Sequence, residues 1–315
     1  MNIDTDSLNY FPLWYYRNPS KLGLKKAQQS SVDEEKTFHI DNHFNYYRQV
    51  KLDGRKERLS KYYQKTSPPP FKVIKLIIEK LCIEHPKLFH FNKNQLTCNL
   101  TKETLFFDQE FNFIQNKSTT NIEYLDGFDA LAMQIQEDIA IQKIDLDNQK
   151  DFASHISLFF PNAWSPEEEI GNSFAQIHSH ILDYKKLFPI PFKIVATMAK
   201  NPNTLYRLGS TNLRLCHKLN HHPEYYRENI REKTFQTSEP NIFLRFERQT
   251  VTGIPEINNF LFTIRTYIKK ISPENLTNTQ WREFKEMVLD ENNQHLPRLP
   301  FWKYNSQALK QWVKQ

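Results

Sequence analysis

The chain has 315 residues, 39% of them apolar and 14% aromatic, enough for one large core or two closely packed ones. Its net charge of +6, from 42 basic and 36 acidic side chains, is small and evenly interleaved, which argues against a strongly basic nucleic-acid binder. No stretch approaches the ~20 apolar residues of a membrane span, and the acidic start Met1-Asn2-Ile3-Asp4 lacks the regions of a signal peptide, so a cytoplasmic protein is expected.

In chain order, the first suggestive stretch runs from Tyr46 through Arg55-Lys56-Glu57-Arg58 to Tyr63. It reads as a helical segment with inward tyrosines and a solvated basic face, with a nucleic-acid surface as the rival reading. Ser67-Pro68-Pro69-Pro70 is a stiff break. It divides residues 1–70, an extension expected to pack on the core, from the main domain at 71–315. A helix follows from Phe71, with Ile74, Ile77, Ile78 and Leu81 at helical spacing. Asp126 to Ile135 reads as a second helix, and Ile139 to Leu146 and Ile156 to Phe160 as strands.

From Asn172 to Phe188 the sequence predicts an amphipathic helix with Phe174, Ile177, Ile181, Tyr184 and Phe188 on one stripe. His178 borders that stripe and His180 points away. Ile242 to Gln249 alternates with a period of two, placing Leu244, Phe246 and Arg248 on one face and Arg245, Glu247 and Gln249 on the other. Phe260 to Tyr267 is its expected antiparallel partner, and Ser306 to Val313 a short helix. The irregular mixture favours an α+β fold.

Only six glycines occur, none clustered as a dinucleotide fingerprint or phosphate loop needs, so neither NADPH nor ATP is expected in those standard sites. There is no G-x-S-x-G or H-E-x-x-H motif either. Cys216-His217 with His221-His222 suggests a metal on paper, but the polar run before Pro223 reads better as a surface loop. His178 is a packing histidine or one that approaches a flat hydrophobic cofactor. Arg245, Glu247, Arg248 and Arg265 lie in very apolar strands, where charge must be paired. They form either an internal salt bridge or the polar end of a pocket.

Leu244-Arg245-Phe246-Glu247-Arg248-Gln249-Thr250, continuing to Phe262-Thr263-Ile264-Arg265-Thr266-Tyr267, resembles the strand pair of the haem-dependent oxidative N-demethylases, the family that includes the haem subunit of dimethylamine monooxygenase. Three blocks agree in order: Lys21-Leu22-Gly23-Leu24 with Ile40-Asp41; Gln136-Glu137-Asp138; and Phe160-Pro161-Asn162-Ala163-Trp164 through Gly171 to Ile177-His178. The chain departs from the family at Ser179-His180-Ile181-Leu182, which lacks proline, and at Arg207 to Asn212, which lacks tryptophan.

The resemblance implies a PAS-like mixed or antiparallel sheet with surrounding helices, binding haem b within residues 71–315. It implies O2-dependent N-demethylation of a small secondary alkylamine with release of formaldehyde, and NADPH electrons delivered by a separate flavin and iron–sulfur reductase. His178 would be the iron ligand, Trp164, Arg245, Arg248 and Arg265 cofactor contacts, and Glu247 the catalytic group facing the amine. A haem-binding sensor or carrier without turnover is the alternative.

Overall fold

The structure, a computed structural model, describes residues 25–26, 36–118, 121–179, 192–208, 212–224, 234–293, 296 and 300–315. The helices among them are α1 (Phe44–Arg58), α2 (Phe71–Glu84), α3 (Gly127–Ala132), α4 (Pro166–Glu169), α5 (Phe174–His178), α6 (Phe192–Lys200), α7 (Asn278–Leu289) and α8 (Pro300–Trp312). The strands are β1 (Lys25–Lys26), β2 (Tyr63–Lys65), β3 (Phe89–Asn92), β4 (Gln95–Cys98), β5 (Glu103–Phe107), β6 (Phe113–Lys117), β7 (Asp138–Asp145), β8 (Lys150–Ser157), β9 (Leu205–Leu208), β10 (Asn212–Arg214), β11 (Ile242–Ile254) and β12 (Asn259–Ile271). They form an antiparallel main sheet in the order β1-β9-β11-β12-β7-β8-β2, with β10 also on β11, and a small sheet β3-β4-β5-β6. The fold is α+β. No described helix is long and apolar enough to cross a membrane.

Strands β11 and β12 form the spine. Their ladder runs from Ile242 opposite Ile271 to Ile254 opposite Asn259, well beyond the expected octapeptides, and every residue of β11 is buried. A strand covered on both faces loses the polar alternation that marks an exposed one. The expected strand from Ile156 to Phe160 is instead the end of β8, which starts at Lys150 and leaves the sheet after Ser157. The main-chain N–H groups of Phe159 and Phe160 are taken by the Asp138 carboxylate at 2.7 and 2.9 Å, so they need no neighbouring strand. The helix expected to reach Ile135 ends at Ala132, its start capped by Asp126. The C-terminal helix begins earlier than expected, at Pro300.

Pro70 ends the break and opens α2, which buries Val73, Ile74, Ile77, Ile78 and Leu81. Residues before the break are built into the same sheet: β2 pairs with the end of β8, and α1 buries Phe44, Tyr47 and Lys51. Lys56 and Arg58 of α1 are exposed, as expected of a solvated basic face, but its other three basic residues are turned into the protein. Arg48 binds Glu103 at 2.8 Å, Arg55 pairs with Asp129, and Lys51 donates to the carbonyls of Ala132 and Glu137 at 2.7 and 2.6 Å.

Helix α6 lies against β11 where Gly253 stands. A Cβ at 253 would come within 2.6 Å of three carbonyl oxygens at the helix end, so any side chain there would push the helix off the sheet.

His155 on β8 is fully buried beside Phe128, and burial holds its pKa near 4, well below the usual imidazole value. Below about pH 6.5 the unfolded chain takes up a proton that the folded His155 refuses, so this group lowers stability as pH falls towards about 4. Between about pH 7 and pH 5 the wild type is expected to lose ~2 kcal/mol more than a His155→Gln variant in urea unfolding. Parallel pH profiles for the two proteins would contradict this.

Candidate functional site

One face of the main sheet forms the floor of a cavity of about 340 Å³. Residues of four neighbouring strands build it: Glu247 and Gln249 from β11, Phe260, Phe262 and Ile264 from β12, Ala140 and Gln142 from β7, and Ala153 and Ile156 from β8, the last pair spaced by a bulge. The register sets Gln249 opposite Ile264, and Phe262 opposite Ala140, so these side chains share one face. The roof comes from the segment between β8 and α5, with Asn162, Ala163, Trp164 and Glu169, and from Phe174, Ile177 and His178 of α5.

Local chemistry explains the roof. Ala163 takes a left-handed backbone, φ 68°, and its N–H donates to the carbonyl of His221 at 3.0 Å while the N–H of His221 returns to Pro161. The run from Cys216 to His222 is a loop with His217 and Lys218 exposed, as expected, but it dips inward at its end, where buried His221 braces the turn leading to Trp164 through its main chain. Gly171, with φ 82°, turns the chain into α5, a conformation glycine adopts without steric cost. Ser173 and Gln176 form a capping box, and the N–H of Phe174 donates to Asp151 at 2.7 Å. This anchoring fixes the single turn that ends at His178. The rest of the expected helix, including His180, Ile181, Tyr184 and Phe188, lies outside the described residues.

His178 is buried, its ring centroid 4.1 Å from that of Phe174 and its Nδ1 2.7 Å from the Phe174 carbonyl. A carbonyl accepts only, so Nδ1 carries the proton and Nε2 is the ring's lone-pair nitrogen. Burial pulls its pKa down to about 4, with Arg207 adding to the effect, so the ring is neutral at physiological pH.

Glu247, also buried, lines the same cavity. Gln249 Nε2 donates to its Oε2 at 3.1 Å, and Arg245 stands 3.6 Å from Oε1. Burial raises its pKa, against the pull of Arg245. Arg245 also donates to the carbonyls of Leu219 at 2.9 Å and Phe160 at 2.7 Å. Of the two readings of the charged strand pair, Arg245 and Glu247 thus form an internal ion pair whose acid lines a pocket.

Arg248 and Arg265 stand opposite one another on the reverse face of the sheet, away from the cavity. There they bind residues 36–41. Arg248 donates to the Lys36 carbonyl at 2.7 Å, and Arg265 to the Asp41 carboxylate at 2.8 Å, its guanidinium 3.9 Å from the Tyr47 ring centre. Gln136 and Glu137 complete this latch by accepting the N–H groups of Asp41 and His39 at 2.8 and 2.6 Å. The structure thus brings His178, Trp164 and Glu247 to one cavity, holds Arg245 behind Glu247, and leaves Arg248 and Arg265 on the far side.

A family model described as haem-dependent oxidative N-demethylase, alpha subunit-like, matches residues 28–303. The chain belongs to this family. No curated protein matches it. The demethylase family's haem dependence can be tested against the residues present, and they fit. The cavity offers a neutral imidazole with its lone pair on Nε2, held by a main-chain acceptor as metal-binding histidines usually are. It also offers flat apolar walls in Trp164, Phe260 and Phe262. At about 340 Å³, the volume falls within the ~300–1,000 Å³ of ligand sites.

Sequence reasoning passed over two groups of this demethylase-family chain. Glu169, buried in the cavity wall, sits in an acidic run, Glu167-Glu168-Glu169, that reads as an ordinary exposed turn. Arg207 lies on β9 opposite Gln249, in a strand of four residues too short to give a periodic signal.

Proposed function

We propose that this chain is the haem b subunit of an O2-dependent enzyme that demethylates a small secondary alkylamine, dimethylamine-like in size, and releases formaldehyde. The observation that supports it best is a neutral histidine and a buried carboxylate in one apolar cavity, in a member of this family. In this reading His178 would hold the haem iron, and Trp164, Phe260 and Phe262 would line the pocket for its flat ring. Haem, when bound, supplies the oxygen chemistry that side chains lack. Glu247 binds the ammonium group of the amine, and Arg245 and Gln249 orient its carboxylate. The apolar walls keep water from the reacting carbon. Electrons come from NADPH through a separate flavin and iron–sulfur reductase, which agrees with the missing nucleotide loops. We also read residues 71–315 as a PAS-like domain, to whose main sheet the preceding residues add β1 and β2.

The test is formaldehyde release from secondary amines by haem-loaded protein given NADPH, O2 and a reductase. Omitting the reductase is expected to abolish it. Glu247→Gln is expected to raise the KM for the amine about 10–100-fold, as loss of a charged hydrogen bond does, with haem content unchanged. Stoichiometric haem without turnover of any amine would favour the sensor or carrier.

A further inference from the structure

We propose that the part of the cavity beside α4 is a second cation-binding position, in which Glu169 and Gln142 take an alkylammonium group. Both side chains line the cavity, and they are 5% and 3% exposed. Asn172 Nδ2 donates to Glu169 Oε2 at 3.0 Å, which leaves Oε1 without a donor and the carboxylate without a cation among the described residues. Gln142 Nε2 donates to Asp151 Oδ2 at 2.6 Å. A carboxylate accepts only, so the Gln142 amide is fixed by its nitrogen and its carbonyl oxygen remains an acceptor. The two groups are neighbours across Ala153: Gln142 pairs with Ala153, which exchanges main-chain hydrogen bonds of 2.9 Å with Gly171 and Asn172. Two acceptor oxygens therefore meet with no cation between them, and a buried carboxylate is costly until a positive charge reaches it.

Glu247 is a separate position. Gln142 stands opposite Phe260 and Glu247 opposite Thr266, six residues further along β12, about 20 Å at ~3.4 Å per residue. One small ammonium ion cannot touch both. Arg245 already offsets the charge of Glu247, whereas no described cation pairs with Glu169. Glu168 is exposed and also lines the cavity, so the cavity reaches solvent beside α4. A cation entering there meets two carboxylates first, and an anion is repelled by the same pair. In the demethylase reading, on which this last step alone rests, the amine is taken up at Glu169 and passes on to Glu247.

The test is titration calorimetry of the full-length protein with dimethylammonium and with isopropanol, which has the same shape without the charge. A Glu247→Gln protein is expected still to bind dimethylammonium in preference to isopropanol. Adding Glu169→Gln, which keeps an oxygen for Asn172, should weaken dimethylammonium binding about 10–100-fold, the range for a charge-assisted hydrogen bond, and remove the preference. Adding Glu168→Gln instead should have a smaller effect that salt removes, as for an exposed charge. A folded double variant with Glu169→Gln that keeps the preference overturns the assignment, as does a Glu247→Gln protein with no preference to lose. Formaldehyde assays separate this position from the reading of function. Cation binding that depends on Glu169, with no turnover of any amine, supports the position and removes the demethylase reading. Turnover with an unchanged KM in Glu169→Gln alone keeps that reading and overturns the uptake step.

Discussion

Replacing His178 by alanine is expected to weaken haem retention at least ~100-fold, beyond the ~10–100-fold lost when groups behind a metal ligand are removed. The Soret band of the purified variant should shrink or shift, and added imidazole should restore part of it by occupying the vacated space beside Phe174 and Phe262. Two features make the effect large. The ring is held in one tautomer by the Phe174 carbonyl, and burial keeps it neutral, so no proton has to leave before a metal binds. An unaltered spectrum in His178→Ala would remove this residue from the iron.

The second large effect is predicted for Arg265. Its side chain is 1% exposed, paired with Asp41 and placed against the rings of Tyr47 and Tyr267. Burial alone would raise the pKa of Asp41, yet Arg265 and the hydrogen bonds around it hold the carboxyl below its usual range. Glu137 also feels this cation, which opposes the rise that burial imposes on its pKa. Arg265→Leu would leave these acids without their main counter-charge, and breaking one partner of a buried pair costs about 3–5 kcal/mol. Urea unfolding should show that loss in haem-free protein as much as in loaded protein. A loss confined to the loaded form would return Arg265 to the cofactor.

That contrast between the two arginine positions marks where the sequence stops being informative. The period of two placed Arg245, Glu247 and Gln249 on one face and Arg248 on the other, and the structure agrees. Nothing in the period says which face meets a cavity, because both are covered, one by α5 and α6 and the other by residues 36–41. The helix beginning at Phe71 was legible because its buried side repeats at helical spacing. The strand read at Ile156 to Phe160 was misplaced because its apolar run ends in residues whose main chain is satisfied by Asp138.

The two-faced spine has a consequence for how this chain tolerates changes of length. Inserting or deleting one residue within β11 would exchange its faces, turning Arg248 into the cavity and Glu247 towards the latch. Both would then be charges without their partners. Relatives that differ in length should therefore carry their gaps in the connection at Pro255–Ile257 rather than within either strand.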